Sequence, residues 1–427
     1  MDDQIVQIHS SFDSKKNEIV NLERYGKTYS SIFMNLLKPF LIVIKSLLFF
    51  LFDSLVLSKI PSLQLKKREL ILLIRQDAFG DFIMWLDTAK EYRKLYPPEK
   101  YKIVLVGNAL WCGLAKALPY WDEVIAVDVR QFKTFSRYRR KLLWKIRNLR
   151  ADVAIQPTFS REFYNGDSLI RASSATRKIS SIGDMGNRNW LKKFIADSWH
   201  TELIPASSVP LTELERNTEF FSGLTNSPHL TCYPQLDIPE LWESSEWKEK
   251  IFYTIVPGTS GAVVGKEWPP ELFSDIAAKV FRKTGWEGLI CGAKQEYSLG
   301  EQILKQSDAP LQNVCGQTTL MELAGLLSHS RLTISNDTGV VFLSSAVGTQ
   351  SVCIVGGGHF GRFVPYPDLA GKTNHLIAVF HEMPCYGCNW KCIYPIKDGE
   401  PAPCIANISV DAVWEKVRPF LSSSPKN

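Results

Sequence analysis

Asp81, Lys266 and Asp337 are the residues whose types and settings best suit chemistry. Asp81 follows Gly80 where an apolar run turns into a helical one. A carboxylate there could take a proton from an attacking hydroxyl, or simply cap the helix. Lys266 lies in PGTSGAVVGKEWPPELF, 257–273. Small residues and glycines in that stretch leave backbone N–H groups free to approach an anion. Thr259 and Ser260 add hydroxyl donors, and the lysine adds a point charge suited to a diphosphate. The GK[ST] ending of a Walker loop is absent, and an ordinary structural loop is the alternative. Asp337 stands in the turn Asn336-Asp337-Thr338-Gly339, between a short apolar run and a buried helix. Bare N–H groups at such a helix start favour phosphate. Asp337 cannot, so it is assigned to a sugar hydroxyl or to capping. Glu296, in CGAKQE (291–296), could accept from ribose hydroxyls or merely favour a helix start.

These residues need strands and helices to hold them. Apolar runs at 69–75, 102–107, 123–128 and 151–156 read as strands of a first α/β series, with a helix expected over 82–95. A second series has strands at 252–256, 288–291, 331–335 and 350–355. Its helices are expected over 270–284, 297–306, 319–329 and 340–347, with Pro269 and Pro270 opening the first. Such alternation indicates parallel sheets covered on both faces. The expected organisation is a polar arm and hydrophobic helix (1–66), a first doubly wound Rossmann-like domain (67–240) and a second (241–427). The linker falls within the proline-broken run 228–247, and a ligand cleft lies between the domains. The last segment, 410–421, reads as a helix packing back across that cleft.

The chain has 427 residues, 45% hydrophobic and 22% charged, enough for two full cores. Its net charge of +6 is too small to argue for nucleic acid, but it suits an anionic membrane or substrate. The first thirty residues are polar, with no cleavable signal peptide visible, so a reducing cytoplasm is expected. Residues 31–60 are the most hydrophobic stretch. Lys38, Lys45, Ser46, Asp53 and Ser54 recur at intervals near seven and make one narrow polar stripe on a helix. A charged stripe is costly at the bilayer centre. A helix lying in the membrane interface is preferred to a span or to a helix docked on the soluble part, with Lys59, Lys66, Lys67 and Arg68 near headgroups. The stretch 130–150 holds nine Lys or Arg among aromatic and apolar residues. It is either a solvated basic face or a contact for anionic lipid or a phosphorylated acceptor. Arg161, Glu162 and Asp167, in the polar loop 159–167, are either local ion pairs or acceptor contacts.

The strand–GD–helix start, PGTS…KEWP, CGQTTLMELAGLLSHSRLTISNDTG and the glycine-rich stretch after the next strand together resemble glycosyltransferase family 9, the lipopolysaccharide heptosyltransferases. The similarity runs from about residue 69 to 420. It implies a GT-B fold, with Asp81 as base, Lys266 on the donor diphosphate, and Asp337, Thr338 and Gly339 on donor sugar and phosphate. Where the family usually carries a histidine, three residues past the DTG glycine, this chain has Phe342. His359, in GGGHFG, stands nearby instead and is assigned to the donor. The implied reaction is inverting transfer of a sugar, heptose among the candidates, from a nucleotide-diphosphate sugar to a lipid-linked saccharide of lipopolysaccharide or a related surface glycan. The implied place is the cytoplasmic face of the bacterial inner membrane, the enzyme being peripheral or monotopic. Arg161 and Glu162 are taken as acceptor contacts. No metal is required for catalysis if a helix N-terminus and a lysine offset the leaving diphosphate. The rivals are a nucleotide-sugar epimerase of the same architecture and a non-catalytic nucleotide-sugar or lipid-binding subunit.

Cys385, Cys388, Cys392 and Cys404 have the spacing C-x2-C-x3-C-x11-C. Four thiols so placed could hold a structural zinc, stay reduced in a compact loop, or form a disulfide. Related chains carry cysteines near this place, generally without a metal.

Overall fold

The computed structural model describes residues 40–58, 67–239, 245–259, 261, 263–397 and 399–421. The expected polar arm, Lys38, Lys59, Lys66 and Ser260 lie outside the described residues.

Two parallel sheets of six strands each form the frame. The first comprises β1 (Glu69–Arg75), β2 (Tyr101–Asn108), β3 (Glu123–Val127), β4 (Val153–Gln156), β5 (Arg177–Ser181) and β6 (Glu202–Ile204). The second comprises β7 (Phe252–Val256), β8 (Glu287–Ile290), β9 (Leu311–Asn313), β10 (Thr333–Asn336), β11 (Ser351–Ile354) and β12 (Leu376–Val379). Their spatial orders are β3-β2-β1-β4-β5-β6 and β12-β11-β10-β7-β8-β9. Counted from each domain's own first strand, the two orders are identical. Leu73 of β1 lies opposite Leu105 of β2 and Ile155 of β4, and Ile255 of β7 lies opposite Ile334 of β10. Strands covered on both faces must be apolar throughout, and β1 is buried at every position after Glu69. Each sheet reverses its winding beside its first strand, β1/β4 in one and β7/β10 in the other. Ligands of open α/β sheets bind at such switch points.

The switch points are held together by helix α2 (Phe79–Leu95), which begins three residues earlier than expected. Phe82, Ile83, Met84, Trp85, Leu86, Ala89 and Tyr92 are all buried, so α2 is apolar round most of its girth. Both sides have partners. Its own sheet lies on one. On the other, helix α9 (Gly339–Ala346) of the second domain packs directly against it. One apolar cluster runs from Ile71 and Phe82 through Phe342 to Cys353, joining the two domains.

The remaining helices of eight residues or more are α1 (residues 40–57), α3 (Arg137–Leu149), α4 (Trp190–Asp197), α5 (Glu213–Thr225), α6 (Pro270–Thr284), α7 (Tyr297–Gln306), α8 (Leu320–His329) and α10 (Val410–Val417). Pro270 at the start of α6, Gly285 in the left-handed conformation at its end, and the Thr319–Glu322 capping box on α8 make those boundaries local. Ser136 caps α3, separating it from a short turn at Val129–Phe132. The basic stretch is therefore two helical pieces, not one. Helix α10 does not cross the cleft. It packs on α6, β11 and β12 of its own domain, burying Val413 and Val417.

Helix α1 turns its polar stripe inward. Asp53 accepts from Arg139 Nε at 2.8 Å and Nη2 at 2.5 Å, both groups being almost wholly buried. Ser46 and the Tyr164 hydroxyl share a hydrogen bond of 2.9 Å, and Arg171 donates to Ser54 Oγ at 2.6 Å. Phe49 stacks on Phe135 and fills the same seam. Leu41, Ile44, Leu48, Leu51 and Leu55, at the opposite helical phase, face outward. The charge that makes a span costly is thus spent on the soluble domain. The helix is docked there by its polar stripe, an arrangement less expected from the sequence than a helix lying in the membrane interface. Arg68 is also drawn away from a headgroup role, pairing with Asp122 beside Arg93.

Candidate active site between the two domains

The first domain contributes a cluster of carboxylates round one buried cation. Arg75 ends β1 with no exposed surface. Its Nε lies 3.0 Å from Asp77, its Nη2 donates to Glu213 at 3.0 Å, and its Nη1 donates to Asn217 at 2.7 Å. The guanidinium stacks 5.2 Å from the Trp85 ring centroid. Asp81 sits in the first turn of α2, while Ala78 holds the N-cap position and makes no side-chain cap bond. Capping therefore does not account for Asp81. Burial first, then the charges of Glu213 and Asp77, raise its carboxyl to about 7, against smaller opposing effects of Arg75 and Arg362. Burial also holds Asp77 above the ordinary carboxylate range, outweighing Arg75. A carboxyl poised near neutrality is suited to general-base work.

The second domain contributes a loop stapled by Asn336. Asn336 Nδ2 donates to Pro257 O at 2.6 Å, and Trp268 N donates to Asn336 Oδ1 at 3.2 Å. Trp268 is buried and its indole N–H reaches Ile408 O at 2.9 Å. These bonds tie the ends of β7 and β10 to the KEWP loop and set Lys266 Nζ 3.0 Å from Asp337 Oδ2. The Trp390 ring lies 5.7 Å from the same ammonium. Glu296 accepts a hydrogen bond from Ala293 N at 2.7 Å, and its carboxylate rests against Gly258 and Gly292. Its capping role is realised at the mouth of the same loop. His359 Nε2 meets Asn389 Oδ1 at 2.5 Å, and burial is the main cause lowering its pKa.

Two glycines bring the halves together. A Cβ on Gly339 would lie 2.6 Å from Phe79 Cδ1 and 3.0 Å from Gly80 N, and one on Gly80 would lie 2.9 Å from Phe342. The N-termini of α2 and α9 therefore abut, with Asp81 one residue past the contact on one side and Thr338 one residue before it on the other. Phe342, where a histidine was expected on family grounds, is the side chain that fills this seam. Arg362 crosses it too: its carbonyl accepts from Glu213 N at 2.8 Å, and its guanidinium lies 3.7 Å from the Glu213 carboxylate.

A cavity of about 600 Å³ opens at the C-terminal edge of the first sheet, lined among others by Asp77, Asn108, Lys133, Thr158, Ser160 and Glu162. Glu162 faces it and pairs with Lys133 at 2.5 Å. Arg161 does not. It is fully buried and bonded to Asp197, His200 and Asp167 in a charge cluster. Its assignment to acceptor contact is corrected: the paired carboxylates draw it inward. Thr259 is also committed, its N–H and hydroxyl both donating to Glu267 at 3.1 Å. The nine cysteines are free thiols. Cys404 is drawn inward, where its sulfur accepts from Gly357 N at 3.4 Å, and no group of three or more ligand-type side chains among the described residues is arranged to hold a metal ion. Arg75, Asp77, Glu213 and Arg362 were missed by sequence reasoning. Only the capping box Thr212–Glu215 marked that Glu213 opens a helix, and nothing local marked its partner.

Two domains of one strand order, meeting at their switch points over a cleft, define the GT-B architecture. Residues 209–387 match the model of glycosyltransferase family 9 (heptosyltransferase). It is 21% identical over 325 residues to lipopolysaccharide heptosyltransferase 2 of Salmonella typhimurium, covering 73% of this chain and 90% of that one. It is 28% identical over 163 residues to lipooligosaccharide heptosyltransferase 2 of Campylobacter jejuni, covering 37% of this chain and spanning 48%, about half, of that relative. The solved structure of the E. coli ADP-heptose lps heptosyltransferase II superposes with a TM-score of 0.58 at 17% identity, covering 82% of this chain and 98% of that one. That likeness supports the fold.

Proposed function

We propose that this protein transfers a heptose from a nucleotide-diphosphate heptose to a hydroxyl of a lipid-linked saccharide of the lipopolysaccharide type, with inversion. The observation that supports the reading is the abutment of the α2 and α9 N-termini, which brings the turn carrying the near-neutral Asp81 carboxyl against the turn that follows the Lys266–Asp337 pair. Asp81 takes the proton of the acceptor hydroxyl. The oxygen attacks the anomeric carbon from the face opposite the diphosphate, and the bond from that carbon to the diphosphate oxygen breaks. Lys266 leaves Asp337 for the diphosphate, joined by N–H groups at Thr338 and Gly339, and offsets the leaving charge. Asp337, so released, receives sugar hydroxyls, and Glu296 accepts from ribose hydroxyls. With that charge carried by a lysine and a helix start, the proposed chemistry calls on no divalent metal. The acceptor would occupy the cavity lined by Asp77, Thr158 and Glu162. The exposed apolar face of α1 supports action at the cytoplasmic surface of the inner membrane.

The test is thermal shift and calorimetric binding against a panel of nucleotide sugars, followed by transfer to lipopolysaccharide-core acceptors truncated at successive sugars. Binding of a nucleotide-diphosphate heptose, with transfer to one acceptor length, is the expected result. Conversion of the free nucleotide sugar to its epimer, with no transfer, would replace this reading by the epimerase one.

A further inference from the structure

Beside α1 the molecule carries an apolar cleft with a cationic lip, which the chemistry above does not use. Phe52, Leu55 and Val56 of α1 and Trp144 of α3 line it, Arg140 and Lys141 edge it, and its volume is about 460 Å³. That lies within the range of small-molecule sites. Arg137, Arg140, Lys141 and Lys145 recur at helical spacing on the exposed side of α3. Arg140 and Lys141 make no ion pair with a described residue. The cleft runs out onto the apolar face of α1, where Phe40 is 63%, Leu51 57% and Leu55 73% exposed. Mean hydropathy over Phe40–Leu57 is 2.4, yet only 28% of that segment is buried. Apolar surface left outside while the polar residues of the same helix are bonded inside is the reverse of a soluble amphipathic helix.

We propose that α1 and α3 together form a one-sided membrane-docking surface for an anionic bilayer, and that the cleft takes one anionic phospholipid. Its acyl chain lies along Phe52, Leu55 and Trp144, and its phosphate meets Arg140 and Lys141. The charge selects the occupant: an apolar partner protein needs no row of unpaired cations, whereas a phosphate-bearing surface does. Docking is one-sided because the inward face of α1 is committed to Arg139, Tyr164 and Arg171. Lipid reaches only the outward phase, as for interfacial helices. Tyr164, which contacts α1, belongs to the same turn as Asn165 and Gly166 of the cavity wall. The surface therefore stands next to the acceptor cavity. The inference deepens the transferase reading by assigning where the acceptor's membrane lies, and rests on it for that placement only.

The experiment uses the full chain with vesicles of phosphatidylcholine, with and without phosphatidylglycerol, in a flotation assay. Wild type should float more with the anionic vesicles. Arg140→Gln/Lys141→Gln should weaken anionic binding by about 30-fold, since each cation near a charged surface contributes about fivefold, and should leave phosphatidylcholine binding unchanged. Leu51→Asp/Leu55→Asp should lose both. Calorimetric binding of the nucleotide sugar should be equal in all three proteins. Equal anionic binding by wild type and the double Gln variant overturns the lipid site. So does a wild-type dimer that ignores vesicles and is dissociated by the double Asp change. Residues on either side of α1 found on opposite faces of sealed vesicles overturn the one-sided docking. Absence of nucleotide-sugar binding in wild type, with the vesicle pattern intact, would instead sink the transferase reading and leave this surface standing.

Discussion

Asp81 has its carboxyl raised to about 7, from an ordinary 3.8, by burial and by the charges of Glu213 and Asp77. A base with that value is about one-tenth ionised at pH 6 and about nine-tenths at pH 8. Single-turnover transfer should therefore rise about tenfold across that interval, with its midpoint near 7. An ordinary aspartate would be fully ionised throughout, and the profile would be flat. Asp81→Asn removes the proton acceptor and should lower turnover by about 10²-fold or more at every pH. Glu213→Gln removes the largest charge contribution and should move the midpoint towards acid, leaving it above the ordinary value because burial remains. Stability supplies an independent readout. An acid whose folded-state pKa lies above its unfolded value holds its proton more tightly when folded, so its contribution to stability falls as pH rises from about 4 to about 7. Asp81→Asn escapes that loss. Its melting temperature should exceed wild type above pH 7, and the difference should vanish near pH 3. The assays are rapid-quench transfer and calorimetric melting over the same buffers. A flat wild-type profile, or an unmoved midpoint in Glu213→Gln, would refute the coupling. Normal turnover in Asp81→Asn would remove the base.

Lys266→Ala should weaken nucleotide-sugar binding by roughly 1.5–3 kcal/mol, the range for a charge-assisted contact, with turnover falling alongside; unchanged calorimetric affinity would leave the loop as structure only. Asp337→Ala should cost sugar recognition more than affinity for the free nucleoside diphosphate, read by comparing the two titrations. Gly339→Ala would put a methyl group 2.6 Å from Phe79 and 3.0 Å from Gly80 N, so the domain seam must open. A loss of roughly 1–3 kcal/mol in unfolding free energy is expected, with turnover lost ahead of nucleotide affinity. Asp53→Ala strands the buried Arg139 charge and should cost roughly 3–5 kcal/mol, measured by denaturant titration in detergent; a loss below about 1 kcal/mol, the scale of a surface pair, would mean the helix is held by its aromatic seam alone.

Much of the second domain was written locally. Pro269-Pro270, Gly285 and the Thr319–Glu322 pair punctuate the chain at single positions, and expected and observed helices agree at 270–284 and 297–306. Asp81, Lys266 and Asp337 were legible for the same reason: each sits at a strand-to-helix or loop turn whose glycines and prolines identify it. The three-residue strands β6 and β9 were not, since so short a run holds no period. Nor was the environment of Asp81. Arg75 meets Glu213 across 138 residues of chain, and Arg161 meets Asp197 across 36. No spacing rule joins such pairs, so a buried structural cation and an exposed ligand contact look alike in sequence. Helix α1 marks the boundary most plainly. Intervals of seven determined that Ser46, Asp53 and Ser54 share one face. Which medium that face meets depended on Arg139, Tyr164 and Arg171, supplied by elements more than 80 residues away. Periodicity states only that a helix has two faces; burying Asp53 against Arg139 is what assigns the apolar one to the outside.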